Sequence, residues 1–193
     1  MTIGVLGGSF CPPTIAHVEL CKTCVEQDLC DKVIWVPVND AYRKKTNIPA
    51  KHRIAMVKLA IANEPAIECS LHEMDYNEVV YTIDTLKILK KMYPNDKILF
   101  IAGADKMGYK WFRREEMVRD FGYIVTNRGD IDCNAMIEDS VNLTKYRDNI
   151  KIVDYQSEIS STLVREQIVF TGQSDLIHPD VMNYIKTHNL FEK

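Results

Sequence analysis

The stretch GGSFCPPTIAH, residues 7–17, decides how this chain is read. It follows a short apolar run, Ile3 to Leu6, and leads into a helix-like stretch from Ile15 to about Leu29. Glycine allows backbone to come close to a ligand, and the lone histidine, His17, stands where a helix begins. A helix start presents unpaired N–H groups and the positive end of the dipole, so it favours an anion. The tight loop and the histidine together raise the question of a phosphate.

Outward from that loop, β-rich and helical segments alternate. TIGVLG and KVIWVPV (Lys32–Val38) flank the Ile15–Leu29 helix, which makes a β-α-β unit with parallel strands and a right-handed crossover. Pro49–Asn63 reads as a helix with Pro49 near its start, and AIECSLHEM supplies a further strand. In YTIDTLKILKKMYP, Ile83, Leu86, Leu89 and Met92 fall near helical spacing, and Pro94 stops the helix. Lys97–Gly103 is the clearest buried strand; Gly122–Asn127 and Ile150–Tyr155 are two more. Ser160–Gly172 is a helix with a Ser/Thr start and a glycine stop, and Pro179–Asn189 is the last helix. Ile131 to Asn149 reads only as peripheral helix and loop. No repeat, low-complexity tract or linker interrupts the pattern. The expectation is a single domain over residues 1–193, an α/β Rossmann-like fold whose mostly parallel sheet has helices on both faces. Such folds place ligands at the carboxyl ends of the strands.

Composition narrows the function classes. With 24 basic and 27 acidic residues the net charge of −3 gives no basic footprint for a nucleic acid. A hydrophobic content of 46% supports a real core rather than disorder. The start, MTIGVLGG, does not look like a secretory leader, and no apolar run nears the ~20 residues of a membrane span. The expected location is cytoplasmic, away from membranes; a homo-oligomer stays open. Six cysteines are then expected to be reduced. His17, Cys21 and Cys24 would share a helix face, which admits a zinc reading. The same cysteines also read as small packing residues that tolerate alanine, and no second Cys-x-x-Cys completes a four-ligand set.

Three strand ends carry unusual residues. GGSF follows the first strand, GAD (Gly103–Asp105) follows Lys97–Gly103, and ISST (Ile159–Thr162) follows the last. Ser160, Ser161 and Thr162 open a helix, and Arg165 lies about one turn further in, within reach of the same anion. Singly, GGS is an ordinary turn and SST an ordinary cap. Together, two helix starts, one arginine and one histidine outline a polyphosphate cradle. It is not a P-loop, for no Gly-x-x-x-x-Gly-Lys-Ser/Thr stretch is present, and the spaced dinucleotide glycines are absent too.

Several segments, in order, resemble the nicotinate/nicotinamide mononucleotide adenylyltransferases of the α/β nucleotidyltransferase superfamily. GGSFCPPTIAH is similar to their Gly-Gly-Ser/Thr-Phe-Asp-Pro-Pro-His-x-Gly-His signature, KHRIAMVKLA to their His-Arg-x-x-Met helix, and YTIDTL to their Ser-Tyr-Thr-x-Asp-Thr-Leu segment. FIAGAD with Trp111, ISSTLVRE and HPDVMNYIKTHNLF also have counterparts, so the resemblance covers nearly the whole chain.

The resemblance implies adenylyl transfer from ATP to a pyridine mononucleotide, with Mg²⁺ carried mainly by the ATP phosphates. It places Gly7, Gly8, Ser9 and Phe10 along the phosphate path and Thr14, His17 and Arg165 at the reacting centre. Gly103 and Asp105 fall on the adenosine side; Ile159, Ser160, Ser161 and Thr162 hold the adenine edge and outer phosphates. Lys44 adds a basic group. Tyr81, Thr82, Trp111, Phe112 and Arg128 serve the mononucleotide, with Trp111 stacked on the pyridine ring. Three positions depart from the signature: Cys11 stands for aspartate, Thr14 for the first histidine and Ala16 for glycine. Cys11 and Ala16 keep a nucleotide-binding regulator without turnover as one alternative; a related transferase, such as one acting on phosphopantetheine, is the other, and Trp111 and the YTIDTL segment argue against it. The family's small residues at the positions of Cys21 and Cys24 favour packing over zinc.

Overall fold

The structure is a computed structural model, and it describes residues 1–42, 48–104, 112–127 and 132–191. Six strands form one sheet: β1 (Thr2–Gly8), β2 (Lys32–Pro37), β3 (Ile67–Cys69), β4 (Lys97–Gly103), β5 (Tyr123–Thr126) and β6 (Ile150–Val153). Their order is β3-β2-β1-β4-β5-β6, and every pairing is parallel. The expected mostly parallel sheet is thus wholly parallel among the described residues. Each strand returns by a crossover rather than a hairpin, which is what parallel pairing demands.

Period-two alternation along the strands sorts the core into two layers. Val33, Trp35, Leu99 and Ile101 point to one face, with Met56, Val164 and Val181. Ile34, Val36, Ile98 and Phe100 point to the other, with Ile83, Leu86 and Met117. The first face is covered by α1 (Ile15–Glu26), α2 (Ala50–Ala60), α7 (Ser161–Thr171) and α8 (Pro179–Thr187). The second is covered by α3 (Thr82–Met92), α4 (Arg114–Asp120), α5 (Cys133–Glu138) and α6 (Val141–Lys145). Because strands buried on both faces need apolar residues at every position, KILFIAG reads as a continuous run.

Two boundaries differ from the sequence reading for local reasons. Helix α1 stops at Glu26 rather than Leu29, because Asp28 takes a left-handed φ of 54°. Gln27 then bonds both the amide and the carbonyl of Asp154 just past β6. Met92, expected in the buried stripe of α3, is 54% exposed because the helix ends there. The stretch before β6, unreadable in the sequence, holds α5, α6 and a 3-10 turn at Arg147–Asn149, and Asp132 caps α5 through Asn134 N. Strand order reverses between β1 and β4, which opens a crevice at their carboxyl ends.

Candidate active site

Seen from that crevice, the end of β1 and the start of α1 form one wall. The nearest atoms to a Cβ built on Gly8 are those of the Phe10 ring, at 3.5 Å and beyond, which is ordinary contact. The protein's own packing therefore does not require glycine there, and a glycine leaves the backbone open to close approach. Phe10 has φ 47°, a conformation that costs a non-glycine residue about 1–3 kcal/mol. Its buried ring stacks on Trp35 at 4.7 Å, which offsets part of that cost.

Behind the loop sits Arg53, fully buried on α2. Its Nη1 donates to the Ser9 carbonyl at 3.2 Å, its Nε to the Ile48 carbonyl, and its Nη2 to Asp40. Asp40 also accepts from the Ala50 amide, so one carboxylate caps α2 and neutralises the arginine. Arg53 of KHRIAMVKLA is therefore a brace for the glycine loop, whereas His52 beside it meets the Tyr184 hydroxyl on α8.

The opposite wall is the start of α7. Ser160 caps the helix by accepting from the Leu163 amide at 3.2 Å. Ser161 Oγ donates to the Pro12 carbonyl at 2.7 Å, and Arg165 Nη1 donates to the Cys11 carbonyl at 2.7 Å. Helix start and glycine loop are thereby fastened to each other. Arg165 also donates to Thr162 Oγ1 at 3.0 Å; its five N–H groups exceed these acceptors. At Cys11, where the signature has aspartate, the side chain is 2% exposed, and the fold uses its carbonyl.

Between the walls lies a cavity of about 370 Å³. It gathers Gly8, Ser9, Phe10 and His17 from the first wall, Gly103 from β4, and Ile159, Ser160, Ser161, Thr162 and Arg165 from the second. Gly7 and Thr14 do not line it. Gly7 is exposed beyond the lining, and Thr14 is 1% exposed with its hydroxyl 2.6 Å from His17 Nδ1. Tyr81, Thr82 and Phe112 also stand apart from the cavity. Tyr81 and Phe112 are more than half exposed and pack together at 4.7 Å between ring centroids. Helix α3 follows a parallel strand, so its first residue, Thr82, and Tyr81 before it start from the carboxyl edge of the sheet. Lys44, Asp105, Trp111 and Arg128 lie outside the described residues.

Sequence reasoning missed Thr126, Asn127, Tyr155 and Ser157, all of which line the cavity. They occupy the carboxyl ends of β5 and β6, the same kind of place as Gly103, but carry no glycine or charge to mark them. Thr126 Oγ1 donates to the Tyr155 carbonyl, and Tyr155 Oη donates to the Ala16 carbonyl at 3.2 Å. Burial raises the Tyr155 hydroxyl above the ordinary tyrosine range. Asn127 Oδ1 accepts from the Cys133 amide, which fixes its amide group and turns its N–H donors the other way.

The cysteines of α1 are packing residues. Cys21 and Cys24 are fully buried, and Cys21 Sγ accepts from Trp35 Nε1 at 3.1 Å. Burial pushes the Cys21 thiol well up and the Cys24 thiol to about 12, the opposite of what a metal-bound thiolate needs. Among the described residues no helix is long and apolar enough to cross a membrane.

The cavity thus offers backbone, hydroxyl and amide donors, one histidine and one arginine at the switch point of a parallel sheet. The chain is similar to known proteins in sequence and in fold. A cytidylyltransferase-like family model matches residues 5–167. Nicotinate-nucleotide adenylyltransferase of Bacillus subtilis is 32% identical, with 98% of each chain covered. A probable nicotinate-nucleotide adenylyltransferase of a Synechococcus species is 34% identical, covering 98% of this chain and 94% of that one. The solved Plasmodium falciparum nicotinic acid mononucleotide adenylyltransferase complexed with NaAD shares the fold, with a TM-score of 0.77 at 23% identity over 98% and 97% of the two chains. Family match, full-length relatives and fold agree with the cavity's chemistry: the chain belongs to the cytidylyltransferase-like family, and within it to the nicotinate-nucleotide adenylyltransferases.

Proposed function

We propose that this chain joins the adenylyl group of ATP to nicotinate mononucleotide, releasing pyrophosphate, as a step of NAD biosynthesis. The observation that carries the reading is the meeting of the Gly8–Ser9 backbone, His17, Arg165 and the α7 start in one cavity at the β1/β4 crevice. The mononucleotide phosphate attacks the α-phosphorus in line, and the bond to the bridging oxygen breaks as pyrophosphate leaves. The nucleophile comes from the substrate, so the protein's work is positioning and stabilising charge.

In this reading Gly8 and Ser9 let the triphosphate lie against backbone. His17 and Arg165 meet charge on the α- and outer phosphates, and the α7 start adds N–H donors. Gly103, Thr126, Asn127 and Tyr155 form the adenosine end, with Asp105 completing it. Mg²⁺ enters as part of the ATP substrate. No carboxylate lines the cavity among the described residues, which suits a metal held by phosphates and water. The ion lowers the charge of the triphosphate. Tyr81, Thr82, Trp111, Phe112 and Arg128 would take the mononucleotide, with the Tyr81–Phe112 aromatic pair as its nearest described surface. Lys44 would assist with phosphate.

The test is pyrophosphate release from ATP with nicotinate mononucleotide, nicotinamide mononucleotide or phosphopantetheine. Release with a pyridine mononucleotide is expected. Release only with phosphopantetheine, or ATP binding with no release from any acceptor, would overturn the reading in favour of a related transferase or a regulator.

A further inference from the structure

Just past the end of β2, Asn39 is 3% exposed, and its side-chain amide is fully engaged with backbone. Its Nδ2 donates to the carbonyls of Glu73 at 3.1 Å, Tyr76 at 3.0 Å and Glu78 at 2.7 Å. Its Oδ1 accepts from the Ala41 amide at 3.1 Å. An amide turned the other way would set its oxygen against three carbonyls and its nitrogen against an N–H, so the partners fix its orientation. The segment gathered by these bonds has no ladder of its own. Residues 76–81 lie between the 3-10 turn His72–Asp75 and α3, in neither helix nor strand. Backbone of that kind is ordered by what its polar groups find, and it opens easily where they find little. Glu73 is held in other ways too, since its carboxyl accepts from Thr85 Oγ1 at 2.6 Å and from the Asn39 backbone. Tyr76 and Glu78, by contrast, are tied to the end of β2 through the Asn39 side chain. Tyr81 and Thr82, at the start of α3, follow directly.

On its other side Asn39 adjoins the glycine loop. The Val38 amide donates to the Gly8 carbonyl at 3.0 Å, and Asp40 accepts from Arg53, whose Nη1 holds the Ser9 carbonyl. One buried amide thus stands between the phosphate wall and the approach to Tyr81 and Thr82. We propose that Asn39 is a positioning residue for the second substrate: its side-chain amide fixes residues 76–82 relative to the glycine loop, and so sets where the mononucleotide lies against the α-phosphate of ATP. This rests on the reading of the cavity as an adenylyltransferase site, with Tyr81 and Thr82 on the mononucleotide side. Being buried, Asn39 acts through the backbone it holds and not by contact with substrate. The chemistry gives such a residue leverage, because in-line attack needs both substrates in one geometry, and a misplacement of about 1 Å can cost on the order of a hundredfold in rate.

Asn39→Asp separates the donor from the shape. It keeps the acceptor for the Ala41 amide and puts a carboxyl oxygen where the side-chain nitrogen donates to three carbonyls. In the full chain, amide hydrogen exchange should then speed up about tenfold or more over residues 76–81 and change little over β1, β4 and α7. In steady-state assays the KM for nicotinate mononucleotide should rise about tenfold or more, while the ATP KM stays within about twofold of wild type. Asn39→Ser, with one hydroxyl to donate, should fall between wild type and Asn39→Asp in both measurements. A merely structural role would loosen the whole molecule and move the two KM values together. Equal rises in both KM values, an unchanged mononucleotide KM, or unchanged exchange over residues 76–81 overturns the proposal. Loss of a cooperative melt in both variants overturns it too, since Asn39 would then support the fold at large. A wild-type chain that releases no pyrophosphate from any acceptor refutes the adenylyltransferase reading instead, and the exchange measurement still decides whether the Asn39 side chain holds the segment.

Discussion

At the scale of single residues, His17 and Arg165 differ in what else they hold. His17→Ala should fold normally and lose about 100-fold in kcat, the usual cost of one lost transition-state contact. Arg165 also fastens the Cys11 carbonyl, so Arg165→Ala should lower kcat and raise the ATP KM together. Steady-state kinetics on both variants checks this; a KM change alone for Arg165→Ala would show that the tie to Cys11 is idle. Cys21 and Cys24, alike in sequence, should behave differently. Cys21→Ala leaves the buried Trp35 Nε1–H without its acceptor, a loss of about 1–3 kcal/mol. Cys24 has only packing to lose, so Cys24→Ala should cost less. Urea denaturation should therefore find Cys21→Ala the weaker protein. The expectation that both tolerate alanine equally came from treating thiols as small hydrophobes, and only the fold reveals that one of them accepts a hydrogen bond.

At the scale of elements, the 3-10 turn His72–Asp75 meets α3 through a buried carboxyl. Glu73 is 5% exposed and accepts from Thr85 Oγ1 at 2.6 Å. Burial pushes its pKa to about 7, against hydrogen bonds from Thr85 and Asn39 and the nearby Arg53 cation, which pull it down. A raised acid holds its proton more tightly when folded, so the folded state binds more protons between pH 4.5 and about 7. Glu73's contribution is then fullest below pH 4.5 and is lost as pH rises through 7. Glu73→Gln should gain stability over wild type across that interval, reaching about 2–3 kcal/mol above pH 7. Urea midpoints at pH 5 and pH 8.5 give the measurement, and a gap that ignores pH would count against it. None of this was visible in AIECSLHEM, because burial of a carboxyl depends on what folds over it. Continuous apolar strands and capped helices were legible: KILFIAG matches β4 end to end, and the Ser160 cap starts α7 as read. Asn127 and Tyr155 were not, since a polar residue beyond a strand gains its role only from the strands beside it.

At the scale of the whole molecule, the two walls of the cavity come from opposite ends of the chain. Arg165 and Cys11 are 154 residues apart, and Ser161 and Pro12 are 149 apart. ATP bridging them should therefore act as a clasp on the fold. At a hundredfold excess over its dissociation constant it should add about 2.7 kcal/mol, or roughly 5–10 °C in Tm for a chain of this size. Mononucleotide alone should give a separate shift if its site stands apart, as Tyr81 and Phe112 stand apart from the cavity. Thermal melts with each ligand would show it, and a shift with neither would refute both.

The strand order also bears on how the chain comes into being. Ile3 lies opposite Lys32, but on its other edge Thr2 lies opposite Lys97. Closing the second contact costs about 1 kcal/mol more loop entropy than the first. During synthesis β1, β2 and β3 leave the ribosome long before β4, so the strand bearing the glycine loop must wait with an open edge. An open edge is a template for pairing with another chain. The crevice between β1 and β4 in the finished protein is thus a seam that stays open in the nascent one until β4 arrives, and over that interval the β1 edge is exposed to pairing with another chain.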